Sequence, residues 1–136
     1  MQSIREFLTE YETLSIGKDL QGLSRMYADD FIVAGPKGAM AFKNDKKFKE
    51  WLKQLGQSNE DTGLKSMKIQ NIIITPVGEN YGSALATWGA RFDKTGDKLI
   101  EFDITYILYL DEAGPKIVMY ITHEDQETVM KKNGLL

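Results

Sequence analysis

Cysteine is absent from this chain of 136 residues. Disulfides, zinc–thiolate sites and cysteine nucleophiles are thereby excluded. Histidine occurs once, as His123. A metal site would need carboxylates to complete it, and the neighbouring Glu124 and Asp125 alternate faces along a strand; no metal is expected. The three prolines, Pro36, Pro76 and Pro115, all fall where the chain is expected to turn. No apolar run approaches the roughly 20 residues that span a bilayer, and Met1-Gln2-Ser3-Ile4-Arg5-Glu6 lacks the basic-then-apolar order of a signal peptide. A soluble cytoplasmic protein without a membrane partner is the expectation. Positive charge is also in short supply, with a formal net charge of -3 and a pI near 5.2. Nucleic acid is therefore not an expected partner. The one basic cluster, Lys43 to Lys53, interleaves with Phe48, Trp51 and Leu52 and reads as the solvated face of a helix. No glycine-rich phosphate loop or nucleophile elbow occurs, and no cofactor is expected.

What is present is an apolar content of 42 %, enough for one ordinary core, and the chain reads as a single domain over 1–136. Ser3-Ile4-Arg5-Glu6 has the form of a capping box. Ile4, Phe7, Leu8, Tyr11 and Leu14 follow at helical spacing, which predicts a helix from about Ile4 to Ser15. Leu20, Leu23, Met26 and Tyr27 mark a second, short helix. Asp29 and Asp30 are expected to bond backbone groups at the turn that follows it. Phe31 to Ala34 reads as a brief strand broken by Gly35-Pro36-Lys37-Gly38. A third helix, capped by Asn44 or Asp45, buries Phe48, Trp51, Leu52 and Leu55 and ends at Gly56, with 57–63 a polar loop. The period then changes from 3.6 to 2. Lys65 to Thr75, Tyr81 to Phe92, Lys98 to Leu110 and Lys116 to Glu124 read as strands joined by hairpin turns. Gln126 to Lys132 suits a frayed helical tail. Helices first and a meander of strands later is an α+β layout, with three N-terminal helices packed on one face of a curved antiparallel sheet.

Alternation sorts the strand residues into faces. Ala84, Ala86, Trp88, Ala90 and Phe92, with Phe102, Ile104, Tyr106, Leu108 and Leu110, should face the helices. Leu85, Thr87 and Arg91, with Glu101, Asp103, Thr105, Ile107 and Tyr109, form a mixed face. It is too apolar to leave wet, and suits a homodimer through Thr87, Asp103, Thr105 and Tyr109, with Arg91, Glu101 and Asp103 as cross-strand ion pairs. On the last strand, apolarity favours Ile117, Met119, Ile121 and His123 facing inward.

The run Gly17-Lys18-Asp19-Leu20-Gln21-Gly22-Leu23-Ser24-Arg25-Met26-Tyr27-Ala28-Asp29-Asp30-Phe31 closely resembles the segment near the N-terminus of nuclear transport factor 2-like domains. That superfamily holds ketosteroid isomerases and SnoaL-like polyketide cyclases. The ending from Asp125 to Leu136 resembles that of SnoaL-like proteins. The resemblance implies a cone-shaped, cystatin-like roll and, commonly, a dimer. It also implies site residues. Tyr11 falls on the isomerases' tyrosine that donates to an enolate oxygen, and Tyr106 on their second donor. Their catalytic aspartate precedes a proline; Gly35 stands there, before Pro36. Glycine supplies no base, and proton abstraction beside a carbonyl requires one. Steroid isomerisation is therefore not expected.

Two function classes remain open. One is a small-molecule-binding domain with an apolar pocket for an apolar or aromatic compound, with or without cyclase, isomerase or dehydratase turnover. There His123 would shuttle protons, Tyr11 and Tyr106 would donate hydrogen bonds, and Tyr27, Phe31, Trp51, Trp88, Phe102 and Ile121 would line the site. The other is a catalytically silent dimeric interaction domain, in which Trp51, Trp88 and Phe42 plug the cone.

Overall fold

In a computed structural model, which describes residues 3–135, Ser3 caps helix α1, Ile4–Ile16, through a complete capping box with Glu6. Its apolar stripe buries Phe7, Leu8 and Tyr11. Helix α2, Leu20–Ser24, is a single capped turn: the Asp19 side chain accepts from the Gly22 N–H. Strand β1, Tyr27–Gly35, follows after the two-residue turn Arg25-Met26 and so includes Asp29 and Asp30, which were expected at a turn. A two-residue turn through Pro36 and Lys37 leads into β2, Gly38–Lys43. This strand was not expected, because its residues are mostly exposed and carry no inward apolar alternation. Asp45 then caps helix α3, Lys46–Asp61, with Phe48 and Leu52 buried.

Helix α3 passes through Gly56 rather than ending there, and the expected polar loop over 57–63 is mostly helix. An isolated glycine in an exposed helix costs only about 1 kcal/mol against alanine. The true stop is Gly63, whose φ of +80° lies in the left-handed region. The remaining elements are β3, Leu64–Val77; β4, Tyr81–Phe92; β5, Ile100–Asp111; β6, Gly114–Thr122; and α4, Gln126–Lys132. No helix among the described residues is long and apolar enough to cross a membrane.

The strands form one sheet in the order β2-β1-β6-β5-β4-β3. All pairs are antiparallel except β1 with β6, which run parallel. The helices lie on one face, giving the α+β roll expected. Ala84, Ala86, Trp88, Ala90 and Phe92 on β4 all face inward and are buried, as are Ile104, Tyr106 and Leu108 on β5. A bulge in β3 between Ile69 and Asn71 is held from outside the sheet: Glu12 on α1 accepts the Ile69 N–H at 2.5 Å.

The last strand departs from expectation. Its pairing with β5 slips between Ile107 and Leu108: Leu108 faces Ile117, whereas Ile107 faces Met119. Val118 is thus one residue too many, and a single extra residue exchanges the two faces beyond it. Ile117 is inward, as expected. Past the bulge Tyr120 opposes inward-facing Tyr106, and Met119 and Ile121 oppose Ile107 and Thr105 on the outer face. His123 follows them outward, exposed, with Nε2 2.7 Å from Thr105 Oγ1. The expected inward placement of Met119, Ile121 and His123 is therefore corrected. On the same outer face Asp103 accepts from the Thr87 hydroxyl at 2.6 Å. The expected ion pairs with Arg91 are not formed, because Arg91 lies opposite Ser66 on β3 while Asp103 lies opposite Thr87.

Candidate functional site: an aromatic cavity in the cone

Small side chains on the concave side of β4 alternate with one large one, Trp88. Helix α1 lays Tyr11 across this row. The Tyr11 ring packs edge-on against Tyr27, Trp88 and Tyr106, with centroids 6.0, 6.3 and 5.4 Å away. The polar tips of the cluster satisfy one another. The Tyr11 and Tyr27 hydroxyls are 2.5 Å apart, and Trp88 Nε1 donates to the Tyr106 hydroxyl at 3.1 Å. A buried phenol or indole needs such partners.

Beside this cluster lies a cavity of about 200 Å³. Its inner wall includes Tyr11, Tyr27, Trp88, Phe102, Tyr106 and Tyr120. Helix α3 contributes Trp51, Leu55 and Asn59. Across the open end lies the C-terminal segment, with Val129, Met130 and Leu135. Leu135 is only 3 % exposed and packs with Ala90, Phe92 and Ile100 in a second small core. The rim carries exposed Leu55, Glu124 and Gln126.

Of the residues expected at a site, Tyr11, Tyr27, Trp51, Trp88, Phe102 and Tyr106 meet at this cavity. Phe31 does not; it is buried among Tyr27, Phe42 and Phe48. Ile121 and His123 lie on the other side of the sheet. Trp51 stacks on Phe48 and tilts against Phe42, so the aromatics line the cone without filling it. Position 35 adjoins the wall: a Cβ placed on Gly35 would fall 2.6 Å from Thr122 Oγ1.

Sequence reasoning missed Tyr120 and Thr122, which the bulge turns inward, and Glu124, exposed at the rim beyond the end of β6. It also missed Asn59, on a supposed loop, Val129 and Met130, on a supposed frayed tail, and Leu135 beyond it. The apolar residues Val129, Met130 and Leu135 around Gly134 were the available signal for a docked tail. Nothing local signalled the bulge.

Burial sets the chemistry of the phenols. Loss of solvent pushes the Tyr11 hydroxyl pKa up, and pushes Tyr27 and Tyr106 well up, where repulsion from neighbouring phenolates adds to it. Tyr120 is raised by the same two causes. All four stay neutral at physiological pH, serving as hydrogen-bond donors and acceptors rather than bases. The Tyr120 hydroxyl makes no hydrogen bond with a described residue, although its ring packs 6.2 Å from Tyr106. Glu124 is the one described lining residue that carries a charge at neutral pH. No group of three or more histidine or acidic residues placed to hold a metal ion occurs among the described residues.

Fold and cavity together define a cone-shaped roll of the nuclear transport factor 2-like kind. The chain belongs to the family described as NTF2-like protein (DUF6841), whose model matches residues 2–125. Among solved structures, it is similar to an NTF2-like protein with a cystatin-like fold from Novosphingobium aromaticivorans. That match has a TM-score of 0.71 at 15% identity and covers 98% of this chain and 86% of the other. An NTF-2 like protein of unknown function from Shewanella oneidensis matches with a TM-score of 0.68 at 14% identity, over 89% and 96% of the two chains. A protein with a ketosteroid isomerase-like fold from Catenulispora acidiphila, solved in complex with trimethylamine, matches with a TM-score of 0.61 at 13% identity, over 98% and 96%. At these identities the likeness is one of fold. No curated protein matches the chain in sequence.

Proposed function

We propose that this protein binds a small, largely apolar or single-ring aromatic molecule in the cone. The observation that carries this reading is the aromatic cavity of about 200 Å³ with the Tyr120 hydroxyl unpartnered at its wall. Water shares about 30 Å³ per molecule in the liquid, so the space exceeds a few waters. It falls below the roughly 300–1,000 Å³ of sites for drug-sized ligands, which favours one ring over four. Turnover at this site, of the cyclase, isomerase or dehydratase kind, would draw on Glu124 for proton transfer and on neutral phenols to polarise a carbonyl or hydroxyl. His123 has no part in it, being on the far face of the sheet. The test is ligand-observed NMR and thermal shift with single-ring alcohols and phenols, on the natural chain and on Ala90→Leu, which narrows the cavity. Saturable binding weakened by Ala90→Leu supports the reading; no binding at millimolar concentration refutes it.

A homodimer through the outer sheet face belongs to the same proposal. Thr87, Asp103, Thr105 and Tyr109 lie there, with Tyr81 against Tyr109 at 5.3 Å and Ile73 exposed by 54 %. This mixed face is also what favours the rival reading, a silent interaction domain. Light scattering that shows a monomer across the micromolar range would remove the dimer. A dimer that binds none of the single-ring compounds would leave the rival standing.

A further inference from the structure

We propose that the cavity selects organic cations, small ammonium compounds carrying one apolar ring, and that Glu124 makes the selection. This rests on the reading of the cavity as a binding site and adds the charge of what it takes. The first observation is the charge inventory of the wall: Glu124 supplies the single carboxylate among the described lining residues, which include no lysine, arginine or histidine. An anion entering there would lose its water without meeting a cation, which is costly.

The second observation is that the Glu124 carboxylate is unspent. The nearby acidic groups are occupied: Asp125 pairs with Lys37 at 3.2 Å and Glu127 with Lys131 at 3.2 Å. Glu124 makes no hydrogen bond or ion pair with a described residue. It lies just beyond the end of β6, exposed at the rim of the cavity that Tyr120 and Thr122 line. Trp51, Trp88, Tyr106 and Phe102 line the same cavity. Ring faces attract ammonium groups through their quadrupoles, more strongly where water is excluded. The neutral phenol oxygens accept N–H bonds. The only formal charge on the wall therefore favours a cation, and its ring occupies the apolar remainder.

The experiment uses three compounds of nearly equal shape: benzylamine, protonated at neutral pH; benzyl alcohol; and benzoate. Their affinities are measured by calorimetry and by quenching of Trp51 and Trp88 fluorescence. The natural chain should bind benzylammonium about five- to tenfold more tightly than benzyl alcohol, and benzoate least, as an ion pair at the rim with a cation–π contact gives. Glu124→Gln should bring the ammonium-to-alcohol ratio close to one, and Glu124→Lys should move the preference toward benzoate. Both substitutions are at an exposed position, and circular dichroism checks that the fold is kept. Benzyl alcohol binding as tightly as benzylammonium, or a ratio that survives in Glu124→Gln, overturns the selection while the cavity remains a binding site. If none of the three compounds binds, the binding reading falls and the selection falls with it.

Discussion

Raising the pH should unfold this protein through its own tyrosines. Tyr11, Tyr27 and Tyr106 are enclosed, and burial raises the pKa of each above its value in an unfolded chain. The sign follows from linkage. Below about pH 10 both states keep the phenolic protons, and the stability these groups contribute is fully present. Above it the unfolded chain releases protons that the folded chain still holds, so stability falls as pH rises. Each such phenol contributes a slope of about 1.4 kcal/mol per pH unit, and three together about 4 kcal/mol per pH unit. A chain of this length has a net stability of about 10 kcal/mol. That margin shrinks steeply above about pH 10, and the chain should unfold in strong alkali. The assay follows phenolate absorbance and far-ultraviolet circular dichroism together on one alkaline titration. The absorbance belonging to the buried phenols should rise only as helix and strand signal is lost, in one cooperative step. Tyr120, on the cavity wall and also raised, should join that step. If all six tyrosines ionise reversibly while the fold is intact, the cluster is not sealed, and the account of the cavity's inner wall is wrong.

Removing the Glu12 carboxylate with Glu12→Ala leaves the Ile69 N–H at the β3 bulge without its 2.5 Å acceptor, at a cost of about 1–3 kcal/mol; a urea midpoint that does not move would show that water serves the bulge equally well. Gly56→Ala should stabilise the chain by about 1 kcal/mol, since a Cβ there meets nothing within 4 Å, and an unchanged or lower melting temperature would refute the helix through that position. Gly35→Asp must displace Thr122, whose hydroxyl lies 2.6 Å from the new Cβ, and should cost about 1–3 kcal/mol, with Thr122→Ala in the same chain recovering most of it. The unmodified protein should not isomerise a β,γ-unsaturated ketosteroid, whereas weak activity in the double variant would support Gly35 as the site of a missing base; strong activity in the natural chain would mean that another base does this work.

The capping box at Ser3, the stripe through Tyr11 and the alternation along β4 and β5 were legible in the sequence because each is a local pattern whose period directly reports which side is buried. The run from Gly17 to Phe31 carried the fold family for the same reason. Local patterns also misled where the tertiary context outweighed them. Gly56 reads as a stop, but α3 runs on through it to Asp61 and turns only where Gly63 takes a positive φ. Strand β2 has no apolar alternation and exists because β1 offers it an edge. The candidate site was legible only on β4, β5 and α1. On β6 the most apolar alternate set includes His123, and a single extra residue opposite Ile107 and Leu108 sends His123 outward and brings Tyr120 and Thr122 in. A bulge of one residue is a property of two strands in register, not of either strand alone. The chemistry of the cavity, with phenols that stay neutral and one carboxylate at the mouth, was decided there.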